Sequence, residues 1–249
     1  ALEDAPYFNA GHGAVFTHEG VNELDAAIMD GASLRAGAIA GVRRVRNPIL
    51  LARAVMEHSP HVMLTGEGAE EFACGQGIAL VDPGYFRTGR RWEELQEARR
   101  KEHAGGLVDH FGTVGAVALD VHGRLAAATS TGGMTNKRWG RVGDAPVIGA
   151  GTYANSACAV SGTGWGEFYI RTAAAHSVCM RVSEMGQSVT GAAEEVINHE
   201  IPGLGGSGGA IVLGADGCFA MPFNTDGMYR GFIYADGVAR VAIWPDERG

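Results

Sequence analysis

His110-Phe111-Gly112-Thr113-Val114-Gly115-Ala116-Val117-Ala118-Leu119-Asp120 passes from a polar, turn-prone segment through glycine and threonine into an apolar strand. A threonine hydroxyl is a poor nucleophile at its free pKa. A cut ahead of Thr113 would place a free α-amine on the residue that carries the hydroxyl, and the amine would supply the base. One peptide cleavage would therefore create nucleophile and base together.

Outward from that junction, apolar runs predict strands at Ala14 to Thr17, Leu24 to Met29, Ala36 to Val45, Thr113 to Asp120, Leu125 to Thr131, Ala210 to Leu213 and Val238 to Trp244. Asp120-Val121-His122-Gly123 and Gly214-Ala215-Asp216-Gly217 read as hairpin turns. Helical periodicity covers Asn47 to His58, Trp92 to His103, Gly166 to Met185 and Ser188 to Glu200, the last stopped by Ile201-Pro202-Gly203. Blocks of strands alternating with pairs of helices point to an α+β fold of sheets covered by helices. Arg99 to Gly112, rich in charge, glycine and histidine, is the natural internal boundary, an exposed segment where cleavage is tolerable.

The 249 residues are 46% hydrophobic and 19% charged, enough to bury a sizeable core. A net charge of -8, with no like-charge block beyond Arg99-Arg100-Lys101, disfavours nucleic acid and anionic membranes as partners; a small substrate fits better. Cysteines at 74, 158, 179 and 218 have neither CxxC nor metal-ligand spacing and read as reduced structural thiols, which suggests the cytoplasm. No apolar run reaches the roughly 18 residues of a spanning helix, and no charged-then-apolar leader opens the chain. Ala1-Leu2-Glu3-Asp4 reads like the end of a helix, so the expectation is that a segment precedes it.

Downstream of Thr113, polar residues recur in small-residue loops: Thr129-Ser130-Thr131-Gly132-Gly133, Arg141-Val142-Gly143-Asp144 and Ser161-Gly162-Thr163-Gly164-Trp165-Gly166-Glu167. These types suit a small zwitterion. Arginine takes a carboxylate in a planar fork, aspartate accepts from an ammonium, and a threonine hydroxyl with a glycine amide can hold an oxyanion. The plainer alternatives are a strand-starting threonine at 113 and an exposed Arg141–Asp144 ion pair worth about 0–1 kcal/mol. Gly162 to Gly166 has the wrong spacing for a nucleotide fingerprint, and Gly205-Gly206-Ser207-Gly208-Gly209 lacks a phosphate loop's lysine. Nine scattered histidines show no triad or zinc spacing.

Taken together, the chain resembles the plant-type asparaginases, or isoaspartyl peptidases, of the N-terminal nucleophile hydrolases. The matching segments are Phe8 to Gly11, Leu24 to Ala26 with Met29 to Gly31, Ser59 to Met63, Gly112 to Val117, Ala128 to Lys137, Gly140 to Asp144, Thr163 to Glu167, Gly205 to Gly209 and Pro222 to Thr225. The resemblance implies a four-layer αββα sandwich in a precursor that cuts itself before Thr113, giving an α subunit of 1–112 and a β subunit of 113–249. It implies that Thr131 orients the Thr113 hydroxyl, that Thr163 and Gly164 form the oxyanion hole, that Arg141 takes the substrate α-carboxylate and Asp144 its ammonium, and that Asn9 approaches the nucleophile. It further implies hydrolysis of isoaspartyl dipeptides and L-asparagine, assembly as (αβ)2, no organic cofactor, and a structural sodium ion on the backbone carbonyls of Leu2, Glu3, Ala5, Phe8, Ala10 and His12. A glycosylasparaginase of the same fold, or an uncleaved amino-acid-binding module, is the alternative. Two departures stand out. Family members open with a strand, a His-Gly-Gly-Ala-Gly turn and a long helix that have no counterpart here, so the expectation is either a fragment or a sandwich lacking these elements, and a lost strand would leave a sheet edge unpaired. Trp165 stands at a variable position beside the oxyanion-hole pair, where it would narrow the pocket.

Overall fold

The structure, a computed structural model, describes residues 1–104 and 112–247. The part of the expected cleavable segment at 105–111 lies outside the described residues. In chain order the first half contains β1 (Leu24–Asp30), β2 (Ala36–Val42), α1 (Pro48–His58), β3 (Met63–Thr65), α2 (Gly66–Gly75) and α3 (Gly89–His103). β4 (Val114–Leu119) and β5 (Leu125–Thr131) follow. These five strands make one sheet in the order β3-β2-β1-β5-β4, antiparallel except for β2 with β3. Among the described residues β4 closes that sheet on one side.

The β4–β5 hairpin forms at the expected turn. Gly123 is left-handed (φ 77°) and donates its N–H to the Asp120 carbonyl at 3.0 Å, the geometry of a three-residue hairpin loop that ends in a left-handed glycine. Backbone and side-chain bonds from Arg124 and the backbone bond from His122 hold the Asp120 carboxyl down at about 2. Because Val114 pairs with Ser130, the antiparallel ladder continued by one step sets Thr113 opposite Thr131.

The second half builds a four-stranded sheet, β6 (Thr152–Ala154), β7 (Cys158–Gly164), β8 (Gly208–Gly214) and β9 (Phe219–Ala220), in that order. α4 (Gly166–Thr172), α5 (Ala174–Ser183) and α6 (Val189–Glu194) lie between β7 and β8 in sequence. A separate ribbon pairs β10 (Arg230–Ile233) with β11 (Ala239–Ala242), so the strand expected at Val238 to Trp244 is shorter and joins neither main sheet.

Burial divides into three apolar groups. Leu51, Ala52 and Val55 of α1 pack on Leu24, Ile39 and Val42 of the first sheet. Val178 and Cys179 of α5, with Ala192 of α6 and Val196 beyond it, pack on Val160 and Val212 of the second. Met29, Leu125, Ala127, Ala154 and Ala159 fill the space where β4 and β5 face β6 and β7. The residues meeting between the sheets are mostly small, and the polar remainder is paired: Thr129 Oγ1 shares short bonds with Ser161 Oγ (2.7 Å) and Thr152 Oγ1 (2.6 Å).

Several expectations need correction. Ala14 to Thr17 is not a strand; side chains satisfy its backbone, with Asn22 Nδ2 donating to the carbonyls of Ala14 and Val15 and Asn9 Oδ1 accepting from Val15 N. The helix expected over Gly166 to Met185 breaks at Ala173, which is left-handed (φ 47°). The break frees Ala175 and His176 to donate their amides to the carbonyls of Ala150 and Gly149. Ser188 caps Gly191 as its position suggests, but the helix does not stop at Ile201-Pro202-Gly203. It widens into a π-helical turn at Glu195–Glu200 and continues through Ile201–Gly203, with Pro202 in a first-turn position that needs no N–H donor. α3 extends to His103, so the boundary expected from Arg99 begins inside a helix. β3, α2, β6 and β7 were not expected; β7 reads Cys-Ala-Val-Ser-Gly-Thr-Gly without alternation because both its faces are covered. Of the four thiols, Cys158 and Cys179 are buried and Cys74 and Cys218 exposed.

α1 packs tightly over Gly37 on β2. A Cβ there would stand 2.0 Å from the Ala52 carbonyl oxygen and 2.6 Å from Met56 N. Gly37→Ala should therefore push α1 off its sheet and cost about 1–3 kcal/mol. Urea unfolding should show this as a lower midpoint at unchanged slope.

Candidate active site

The ends of β4, β5 and β7 converge. Thr113 Oγ1 donates to Thr131 Oγ1 at 3.2 Å, and Thr113 N donates to Thr163 Oγ1 at 3.4 Å. Thr131 Oγ1 also accepts from the Gly133 amide at 3.0 Å, which fixes that hydroxyl between the nucleophile candidate and the loop after β5. Thr131 is thus on the oxygen side of Thr113 and Thr163 on its nitrogen side.

Asn9 closes this cluster from the other half of the chain. Its Nδ2 donates to the Gly133 carbonyl at 2.7 Å, and its own carbonyl accepts from Gly132 N at 3.1 Å. Gly112 sits against it in a conformation open to glycine (φ 147°); a Cβ at 112 would lie 3.0 Å from Asn9 Cβ. The peptide bond ahead of Thr113 is held where any side chain would be strained.

Arg141 and Asp144 do not form the ion pair that their spacing first suggests. Arg141 forks onto Glu167, with Nε to Oε1 and Nη2 to Oε2 both at 2.9 Å. Asp144 is buried, and its Oδ2 has no hydrogen-bond partner among the described residues. Burial pushes its carboxyl up to about 7, against the opposing pull of its own backbone N–H and of Arg141. The two side chains converge over Gly166: a Cβ there would meet Asp144 Oδ1 at 2.7 Å and Arg141 Nη2 at 2.9 Å. A fixed cation beside a buried carboxyl with one oxygen unpartnered among the described residues makes a pocket of zwitterion character.

Sequence reasoning assigned nothing to the buried cluster behind this loop. Lys137, beneath Gly133, donates to the Glu23 carbonyl at 3.2 Å and lies 3.9 Å from Asp25 Oδ2 and 3.8 Å from Glu23 Oε2. Asp25 pairs with Thr131 across β1 and β5, and burial raises its carboxyl pKa. The only linear signal was a lysine in a loop of small residues. Glu167 as Arg141's partner was likewise invisible, being 26 residues away.

The loop from Leu2 to His12 also takes shape. Gly11 and Gly13 admit the carbonyl oxygens of Glu3 and Phe8, which would stand 2.2 and 2.1 Å from a Cβ at those positions. The Leu2 and Ala10 carbonyls each accept one backbone bond, from Ala5 N and Gly13 N, and keep a second lone pair. Such neutral oxygen donors fit a hard cation. The Glu3 side chain turns away, accepting from Ser130 Oγ at 2.6 Å and Ile49 N at 3.0 Å. The His12 ring bonds the Tyr85 carbonyl at 2.7 Å.

A family profile described as Asparaginase matches residues 1–243. The chain belongs to the asparaginase family. It is 52% identical to the isoaspartyl peptidase of Escherichia coli over 255 residues, covering 99% of this chain and 79% of that protein. The Salmonella typhimurium isoaspartyl peptidase is 53% identical, over 98% of this chain and 80% of the relative. The human isoaspartyl peptidase/L-asparaginase is 41% identical, over 99% of this chain and 80% of the relative. As a member of this family the chain is an amidohydrolase. No helix among its described residues is long and apolar enough to cross a membrane.

Asp144 yields a pH prediction with a definite sign. Its carboxyl ionises only above about 7, so affinity for an ammonium-bearing ligand should rise between pH 6 and pH 8. Calorimetric titration with L-aspartate checks this, and Asp144→Asn should flatten the dependence.

Proposed function

We propose that this asparaginase-family chain is an autoprocessing amidohydrolase that cleaves isoaspartyl dipeptides and L-asparagine through Thr113 as an N-terminal nucleophile. The observation that carries the reading is the Thr113 Oγ1 to Thr131 Oγ1 hydrogen bond at the end of β4, beside a Gly112 pressed against Asn9. The names of the bacterial and human relatives support the substrate class.

In processing, Thr113 Oγ attacks the Gly112 carbonyl carbon, the C–N bond breaks to the threonine nitrogen, and water hydrolyses the resulting ester. Fragments 1–112 and 113–249 result, together one domain. In turnover, the Thr113 hydroxyl attacks the side-chain carbonyl of the aspartyl group. Its own amine, with an ordinary pKa of roughly 7.7–8.0, takes the proton and passes it to the leaving amine. Water then cleaves the β-aspartyl ester. Thr163 and Gly164 would stabilise the oxyanion, a contribution of about 3 kcal/mol per donor. Arg141 would anchor the α-carboxylate, and Asp144, whose Oδ2 has no partner among the described residues, the α-ammonium. Nucleophile, base and donors all come from the chain, so this chemistry calls for no organic cofactor.

The finer architecture follows the same reading. Helices over the outer face of each sheet, with an apolar group between the sheets, support a four-layer αββα sandwich. Two αβ units would associate as (αβ)2. The carbonyls of Leu2, Glu3, Ala5, Phe8, Ala10 and His12 would hold a sodium ion, whose fixed charge braces the loop carrying Asn9 and takes no part in bond-making.

Intact mass tests the central step: two fragments should sum to the chain plus one water. Thr113→Ala should remain one polypeptide without hydrolase activity, and self-cleavage of that variant would refute the assignment. Aspartate release from β-aspartyl-leucine should exceed release from N-acetylglucosaminyl-asparagine; the reverse order would make the chain a glycosylasparaginase. Arg141→Ala should raise KM on the order of 10-fold or more, as expected when a charge-assisted fork is lost.

A further inference from the structure

An arginine guanidinium has two edges that can take a carboxylate in a fork, one made by Nε with an Nη and one by the two Nη groups. In this protein Glu167 fills the Nε edge of Arg141 with two bonds of 2.9 Å. Nη1, and Nη2 beside its bond to Glu167, lie over two glycines that adjoin Asp144. A Cβ on Gly143 would meet Nη1 at 2.7 Å, and one on Gly166 would meet Nη2 at 2.9 Å and Asp144 Oδ1 at 2.7 Å. The segment Trp165-Gly166-Glu167 therefore runs directly under the point where the cation and the buried carboxylate converge.

Trp165 is pinned at both ends of its residue. Its backbone N–H donates to the Ser207 carbonyl at 2.9 Å, tying the end of β7 to the glycine-rich run before β8. Its half-buried ring stands edge-on to Phe168 with centroids 5.3 Å apart. Glu167 is partly withdrawn from water, which by itself pushes its carboxyl up. The bonds and charge of Arg141 and its own backbone N–H outweigh that burial and lower its carboxyl pKa.

We propose that Glu167 is a positioning residue. It clamps Arg141 by its Nε edge, so that its Nη edge is presented to the α-carboxylate of the substrate at a fixed distance from Asp144. The anchor is then set by a side chain that never touches the reacting amide, and the inference rests on Arg141 being the carboxylate anchor. An arginine without this clamp would sample many rotamers, and part of the binding free energy would go into ordering it.

Steady-state kinetics with L-asparagine, paired with calorimetric binding of L-aspartate and of β-alanine, tests the proposal. β-Alanine keeps the ammonium and the reacting-side carboxyl but lacks the α-carboxylate. Glu167→Gln, which loses one arm of the fork and the charge, should raise KM about 10-fold while kcat stays within about twofold. The preference for L-aspartate over β-alanine should shrink by the same factor, and Glu167→Asp should recover part of it. An unchanged KM in Glu167→Gln, or a fall in kcat at constant KM, overturns the proposal. Should Glu167→Gln fail to fold, Glu167→Asp decides, and an unchanged KM there is the refuting result. If the native chain stays uncleaved and hydrolyses nothing, the amidohydrolase reading fails separately; the L-aspartate to β-alanine preference still tests the clamp.

Discussion

The register of one hairpin governs the site. β4 and β5 meet through a turn that a left-handed Gly123 makes tight, and once that turn is set every opposed pair along the ladder is fixed. Thr113 then has to face Thr131. A slip by one residue would turn the Thr113 hydroxyl to the other face of the sheet and replace Thr131 by a neighbour whose side chain is already engaged, since Ser130 Oγ donates to Glu3. The geometry at the open end of the hairpin depends on a turn glycine ten residues along the chain from Thr113.

The polar interior follows from that arrangement. Two sheets packed face to face through small residues leave little room, and the hydroxyls between them bond one another. At the rim the pattern changes. Asp144 is buried with an oxygen that has no partner among the described residues, Lys137 and Asp25 face each other at a distance too long for a hydrogen bond, and Arg141 gives one edge to Glu167. Burying a carboxyl without a full set of partners is unfavourable for folding. Asn9 couples the two halves of the chain here, because its side chain spans from Val15 to the Gly133 carbonyl and its Cβ abuts Gly112.

Much of this was legible in the linear chain. The two hairpin turns, the strands from Leu24, Leu125 and Ala210 and the helix from Asn47 follow from local patterns of period two or 3.6 and from turn residues. Where local pattern and structure diverge, a long-range partner intervened. Ala14 to Thr17 has an extended, apolar sequence, yet the side chains of Asn9 and Asn22 satisfy its backbone in place of a strand. Residues 166–185 have helical periodicity, yet a break at Ala173 directs two amides to the carbonyls of the 149–150 loop. β7 has no alternation to read because it is covered on both sides.

The α+β class, the glycine-threonine junction, the hairpin behind it and the family can be read from the linear chain, because each resides in residues close together or in an ordered set of motifs. Which charged groups meet cannot be read there. Arg141 and Asp144, three apart, do not pair with each other, while Arg141 and Glu167, 26 apart, form a fork. The reason is physical: pairing and burial of side chains are set by where sheet ends converge in space, and separation along the chain carries no information about that convergence.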